Sequence, residues 1–261
     1  MLDSTIQEFA NTFIRIFYEG GSGQEPSRPI QSLSLEDAYR VQDSVFQLRI
    51  AKGEKLVGYK VGCTSRAIRE QFGLQEPICG RLIEPHVYYG ETDLDLSDYV
   101  SCALEPEFVL HIGSDIADPE LDDESLLKAV DFVSPGLEVH NYKFWFGDPS
   151  SQELIASNGI HACLVVGKEK IATRDIDLAT EVASLFIDDQ LVASGAGQEI
   201  MNGGPLASLR WLVRHLTDRG EYLRVGQLVI PGSPVRLIPV AAGSVARASV
   251  THVGSVRAKF L

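Results

Sequence analysis

Residues 101–113 read "SCALEPEFVLHIG", an apolar run interrupted by two glutamates, Glu105 and Glu107. In an extended chain alternate side chains share a face, so Glu105, Glu107 and Val109 point one way while Leu104, Phe108 and Leu110 point the other. Carboxylates that close together repel each other and lose hydration if enclosed. Compensation comes either from water on a solvated sheet face or from a cation. Pro106 inside the run argues for an edge or a bulge, where side chains are re-aimed. The residues by themselves leave both readings open.

Similar β-branched runs, separated by Gly, Pro and Asp, fill the chain after residue 80. They include 104–112, 132–140, 161–167 and the pair 182–187/190–194 around "DDQ", which reads as a hairpin. One helix interrupts them: "GPLASLRWLVRHLTDRG" (204–220) has Pro205 in its first turn, Leu206, Leu209, Leu212, Val213 and Leu216 on one face, and a stop at Gly220. The closing "LVIPGSPVRLIPVAAGSVARASVTHVGSVRAKF" (228–260) is strand–turn–strand with glycine at the turns.

Before residue 80 the period is helical. Ile6, Phe9, Phe13, Ile14 and Phe17 give a first helix over 3–19, "EGGSGQEPSRP" (19–29) a loop, and "SLEDAYRVQDSVFQLRIAKG" (34–53) a second helix opened by Ser34 and Asp37. "LVGYKVG" (56–62) is a short strand, and "TSRAIREQFGL" (64–74) a short helix between a Thr64 or Ser65 N-cap and Gly73. The expected architecture is α+β. A helical N-terminal cap region (1–80) sits on a large, mainly antiparallel, rolled β domain (81–261), and the two count equally as one domain over 1–261.

The 261 residues are 44% hydrophobic and carry a net charge of −13, enough apolar material for a substantial core and the wrong sign for nonspecific nucleic-acid binding. A small anionic substrate is not excluded, since a local cation reverses the field inside one pocket. Cys63, Cys79, Cys102 and Cys163 form no C-x-x-C pattern or dense disulfide framework and read as reduced. "MLDSTIQEFANTF" lacks a basic leader region, and no window reaches membrane-spanning length, so a cytoplasmic protein without membrane contact is expected.

A third carboxylate, Glu138, sits in apolar company in "VSPGLEVHNYKFW" (133–145). Three carboxylates without cysteine or paired histidine ligands would form a hard-oxygen site, which favours Mg²⁺ or Mn²⁺. Lys60, between glycines in "GYKVG", is either a lysine snorkelling from a strand edge or a proton-transfer or substrate-orienting group beside those carboxylates. His140 shares a strand face with Glu138 and is a candidate substrate contact. Other sites fail on pattern. "GAGQEI" (195–200) lacks the third glycine of a dinucleotide fingerprint, "PGSPV" is no nucleophile elbow, and the six histidines show no zinc spacing.

The segments "GYKVGCTSRAIREQFGLQEPICGRL", "ALEPEFVLHIG", "GLEVHNYKFWFG", "ELIASNGIHACLVVG", "GGPLASLRWLVRHL" and the closing stretch from Leu228 resemble, in order and spacing, the 2-keto-4-pentenoate hydratase/4-oxalocrotonate decarboxylase family of the fumarylacetoacetate hydrolase superfamily. The resemblance runs from about residue 35 to the C-terminus and favours the cation reading of Glu105 and Glu107. It implies a mixed β-roll, like the fumarylacetoacetate hydrolase C-terminal domain, and Mg²⁺ or Mn²⁺ held by Glu105, Glu107 and Glu138. It also implies Lys60 as the active-site lysine, with Asn158 and Ser233 at substrate-binding positions. Ser233 lies where the substrate carboxylate is expected.

What the resemblance implies chemically is a metal-dependent hydratase adding water to a 2-hydroxy-2,4-dienoate in the catabolism of aromatic ring-cleavage products. A decarboxylase or C–C hydrolase of a related 2-oxo acid is the alternative, and a non-catalytic 2-oxo-acid-binding or scaffold paralogue a third. A homo-oligomer, and a complex with a partner enzyme of the pathway, are expected. Three residues depart from the family pattern: Ile78 stands for an acid, Asn141 for an aspartate and Lys143 for an arginine.

Overall fold

The structure, a computed structural model, describes residues 2–19, 29–99, 101–141 and 149–261. Most of the expected 19–29 loop and Lys143 lie outside the described residues. Helix α1 (Leu2–Glu19) buries Ile6, Phe9, Phe13 and Ile16. Ile16 replaces the expected Ile14, because its spacing keeps all four on one helical face. Helix α2 (Leu35–Ala51) starts where the Ser34 side chain accepts the Asp37 N–H, and the chain turns at Gly53, whose φ of 93° suits a residue without a Cβ.

Strand β1 (Lys55–Gly62), the Ser65-capped helix α3 (Arg66–Phe72) and strand β2 (Ile78–Glu84) form an antiparallel return. Then come β3 (Val87–Tyr89), β4 (Thr92–Leu94), β5 (Ala103–Ile112), α4 (Asp123–Lys128), β6 (Val130–His140), α5 (Ser151–Ala156) and β7 (His161–Val166). After β8 (Ile171–Ala172), strands β9 (Val182–Ile187) and β10 (Gln190–Ala196) make the expected hairpin. Asp188 and Asp189 turn it with φ of 50° and 62°, the left-handed pair that a two-residue hairpin loop needs. Helix α6 (Gly204–Thr217) buries Leu209, Leu212, Val213 and Leu216, while Leu206 is half-buried at the edge of that face. Strands β11 (Leu228–Ile230), β12 (Ile238–Pro239), β13 (Val245–Val250) and β14 (Gly254–Phe260) complete the chain.

The strands form two sheets. The larger runs β2-β1-β11-β5-β6-β7-β3, with β12 added to β5 and β8 to β6; the smaller runs β10-β9-β13-β14-β4. Pairing is antiparallel except for β1 with β11, β3 with β7 and β14 with β4. β2 also contacts β3, so the two ends of the large sheet approach each other and the sheet is rolled. Leu104, Leu137, Val139 and Val165 face Leu185, Ala248, Val256 and Phe260 of the small sheet, while Tyr59, Val61, Phe108 and Leu110 pack under α6. Alternation then sends Lys60, Glu105, Glu107, Val109 and Glu138 to the inside of the roll. Leu82, Val109, Leu164, Leu228 and Ile230 fill that interior with a small apolar cluster. Helices α1, α2 and α5 cover one side of the barrel-like body through Phe9, Phe13, Val41, Leu154 and Ile155. Among the described residues no helix is long and apolar enough to cross a membrane.

Candidate active site

The β5–β6 register sets Glu105 directly opposite Glu138 and Glu107 opposite Gly136. A Cβ at Gly136 would lie 2.5 Å from Val109 Cγ2 and 3.4 Å from Glu107 Cβ, so glycine makes the room in which the Glu107 side chain stands. From β1, Lys60 Nζ donates to Glu138 Oε1 at 2.5 Å and to the Gly159 carbonyl at 3.3 Å. His140, at the end of β6, places Nε2 2.9 Å from Glu105 Oε2 and 3.5 Å from Glu138 Oε2. A register shift after Val139 brings His161 of β7 opposite His140, with Nδ1 2.7 Å from Glu138 Oε1. Lys60, Glu107, Glu138, His140 and His161 are all buried, and the Glu105 side chain is 19% exposed.

The charges explain how so polar a nest stays folded. Burial alone would push the Lys60 ammonium down, but the Glu138 carboxylate outweighs it and the pKa is raised. Burial would push Glu138 up, and Lys60 and then His140 reverse this, holding it well below the ordinary carboxylate range. His140, against the pull of burial, is carried up to about 9, chiefly by Glu138. Glu107 goes the other way: burial first, then Glu138 and Glu105, hold it well above a normal carboxyl. His161 is lowered by burial in spite of its bond to Glu138, so its neutral ring donates Nδ1–H to that carboxylate.

Glu107 Oε2 is buried with no hydrogen-bond partner. An oxygen in that condition, beside two further carboxylates, fits a hard divalent cation. The ligand atoms of Glu105, Glu138 and His140 all lie within 4.8 Å of one another. Geometry therefore brings His140 into the cluster alongside the glutamates, and its Nε2 points at carboxylate oxygens rather than into open space.

Beside the nest lies a cavity of about 620 Å³. Lys60, Glu105 and His140 form its charged end, Ile68, Phe72, Ile78 and Leu154 its apolar wall, and residues 232–237 its far side. Ser233 faces it, but its hydroxyl donates to the Pro106 carbonyl at 3.0 Å and accepts the Val235 N–H at 3.3 Å, so its one proton is already used. Asn158, expected as a substrate contact, is bonded to the backbone of β2. Its Oδ1 accepts the Arg81 N–H at 2.6 Å, its Nδ2 donates to the Arg81 carbonyl at 2.9 Å, and it is absent from the cavity lining. It fastens to β2 the turn whose Gly159 carbonyl meets Lys60. Ile78 is an apolar lining residue with no capacity to move a proton. Asn141 is buried, its N–H donating to the Ile160 carbonyl.

His161 is the residue that sequence reasoning passed over. Its only signal is the pairing of β6 with β7, which sets two histidines side by side and is invisible in a local pattern.

No protein-family model matches the chain. A 2-keto-4-pentenoate hydratase from Paraburkholderia phymatum is 30% identical over 246 residues, covering 93% of this chain and 94% of that protein. A 4-oxalocrotonate decarboxylase from Pseudomonas sp. CF600 is 29% identical over 237 residues, covering 88% and 86%. Among solved structures, 4-oxalocrotonate decarboxylase from Pseudomonas putida G7, complexed with magnesium and adipate, superposes with a TM-score of 0.92 over 99% of this chain and 98% of that one, at 24% identity. Fumarylpyruvate hydrolase from Pseudomonas aeruginosa, in complex with Mn²⁺ and pyruvate, gives 0.61 over 78% and 88%, at 17% identity. The rolled α+β fold is shared with both.

Proposed function

This chain belongs to the family of 2-keto-4-pentenoate hydratases and 4-oxalocrotonate decarboxylases, and from that premise we propose that it is a metal-dependent hydratase. Its reaction adds water to a 2-hydroxy-2,4-dienoate, of the kind produced by aromatic ring cleavage, to give a 4-hydroxy-2-oxo acid. The observation that carries this reading is the acidic nest: Glu105 and Glu138 face each other across β5–β6, with the unpartnered Glu107 oxygen beside them and Lys60 above.

Glu105, Glu107 and Glu138 would hold Mg²⁺ or Mn²⁺, with His140 bracing Glu105 and His161 bracing Glu138. Bound there, the ion supplies Lewis-acid stabilisation of the negative charge that develops on a 2-oxo acid. The Lys60 ammonium orients the substrate's 2-oxygen and delivers a proton to C5, and the 2-hydroxyl proton restores the ammonium. The product of that transfer is a 2-oxo-3-enoate, whose C4 accepts water; the hydroxyl goes to C4 and the remaining proton to C3. The apolar wall from Ile68 to Leu154 keeps bulk water from the carbon chain. Because the 29% identical relative is a decarboxylase, release of CO₂ from a vinylogous 2-oxo diacid is the competing outcome at the same site. Self-association is proposed as well, supported by Leu191 and Val192, 57% and 42% exposed on the edge strand β10; light scattering of the eluted protein reads it directly.

The test is ultraviolet loss of 2-hydroxypenta-2,4-dienoate with and without added Mg²⁺ or Mn²⁺. The expected result is metal-dependent loss that Glu107→Gln reduces by about 100-fold or more, the scale at which one charged group near the reacting centre acts. Undiminished metal-dependent turnover by that variant overturns the ligand assignment, and CO₂ release without hydration replaces hydratase by decarboxylase.

A further inference from the structure

Resting on the reading just given, we infer that the cavity selects 2-oxo acids carrying a second carboxylate at the far end of the chain, and that Arg236 binds that carboxylate. Two cationic side chains beside the histidine line the cavity, Lys60 and Arg236. Lys60 is buried and already bonded to Glu138. Arg236 is exposed, and among the described residues no side chain pairs with it. The other charged group on that side, Glu199, accepts the Ala196 N–H at 3.1 Å within its own turn and makes no ion pair with Arg236. A planar guanidinium with free donors, facing a cavity that takes an anion, is built for a carboxylate.

Position supports the assignment. The segment from Pro231 to Leu237 joins β11 to β12 and is pinned along its length. Ser208 donates to the Pro231 carbonyl at 2.6 Å, Ser233 donates to the Pro106 carbonyl, and Leu237 packs on the apolar cluster under α1 and α2. Ser233 is thus anchored on the residue between Glu105 and Glu107. Arg236 lies three residues further on, at most about 10 Å of extended chain from it. The segment runs from the buried, carboxylate-bearing floor to the exposed rim. A substrate whose 2-oxo-carboxylate end lies at Lys60 and Glu105 lays its carbons along Ile78, Leu154 and Leu237 and brings its other end to Arg236. Because the loop is already fixed, little ordering is lost on binding.

The experiment compares two unreactive ligands that differ only at the distal carboxylate, 2-oxoadipate and 2-oxohexanoate. Each is titrated calorimetrically with Mg²⁺ present into the full-length protein and into its Arg236→Leu and Arg236→Lys variants. The native chain is expected to bind 2-oxoadipate about fivefold to tenfold more tightly, which is the scale of one partly exposed charge-assisted pair. Raising the salt concentration shrinks that ratio. Arg236→Leu brings the ratio to one without altering 2-oxohexanoate binding, and Arg236→Lys restores part of it. A ratio of one in the native chain, or a ratio that Arg236→Leu leaves intact, overturns the inference while the 2-oxo-acid reading stands. Failure of both ligands to bind overturns that reading and the inference with it.

Discussion

At the scale of single residues, Asn158 has a structural task that its sequence context does not show. The family resemblance implied a substrate contact there, whereas both ends of its amide are fixed on the Arg81 backbone, and φ of 63° puts it in the left-handed region. Glycine tolerates that φ, so Asn158→Gly isolates the two lost hydrogen bonds. We expect it to cost about 1–3 kcal/mol in urea unfolding and to leave the KM for a dienoate unchanged. A raised KM at native stability would return Asn158 to the substrate. Glu105, Glu107, Glu138 and Lys60 stood out as candidates because each is an ionisable side chain in an apolar alternation, and the structure gathers them on the inside of the roll. His161 and the Ser233 hydroxyl bond did not, because each depends on a partner dozens of residues away.

At the scale of elements, the helices and long strands were readable from period and punctuation, and α3 begins at Ser65, one of two expected caps, and ends at the expected Gly73. The strands of two or three residues, β3, β4, β8, β11 and β12, are too short to show any alternation, and they exist because neighbouring strands supply partners. The parallel pairing of β1 with β11 joins residue 58 to residue 228, a contact that no local window contains. The β9–β10 turn offers a test of local conformational strain. Asp188 accepts the Val245 N–H and is best left alone, whereas Asp189 is exposed with its φ at 62°. Asp189→Gly is expected to stabilise the protein by about 0.5–1 kcal/mol, seen as a higher urea midpoint with an unchanged slope.

At the scale of the whole molecule, three histidines outside the nest set its response to acid. His86, His111 and His215 are each held down to about 4 by burial first and then by a nearby cation, Arg49, Lys170 and Arg219 respectively. Their ordinary value is 6.5, so between pH 6.5 and 4 the unfolded chain binds protons that the native one refuses. Stability is therefore full above that window and lost progressively as pH falls through it. Urea midpoints at pH 7, 5.5 and 4.5 should decline, and His215→Gln should flatten the decline; an unchanged slope would show that His215 titrates normally in the native state. The acidic nest sits on β5 and β6, in the middle of the large sheet, while the cavity that meets the substrate is bounded by connections: the run from Val61 to Phe72, the α5 turn and the segment from Gly232 to Leu237. On the proposed function, chemistry and choice of substrate would thus rest on different parts of the fold. Exchanging a few loop residues would then alter which ring-fission product fits, without disturbing the strands that carry the carboxylates.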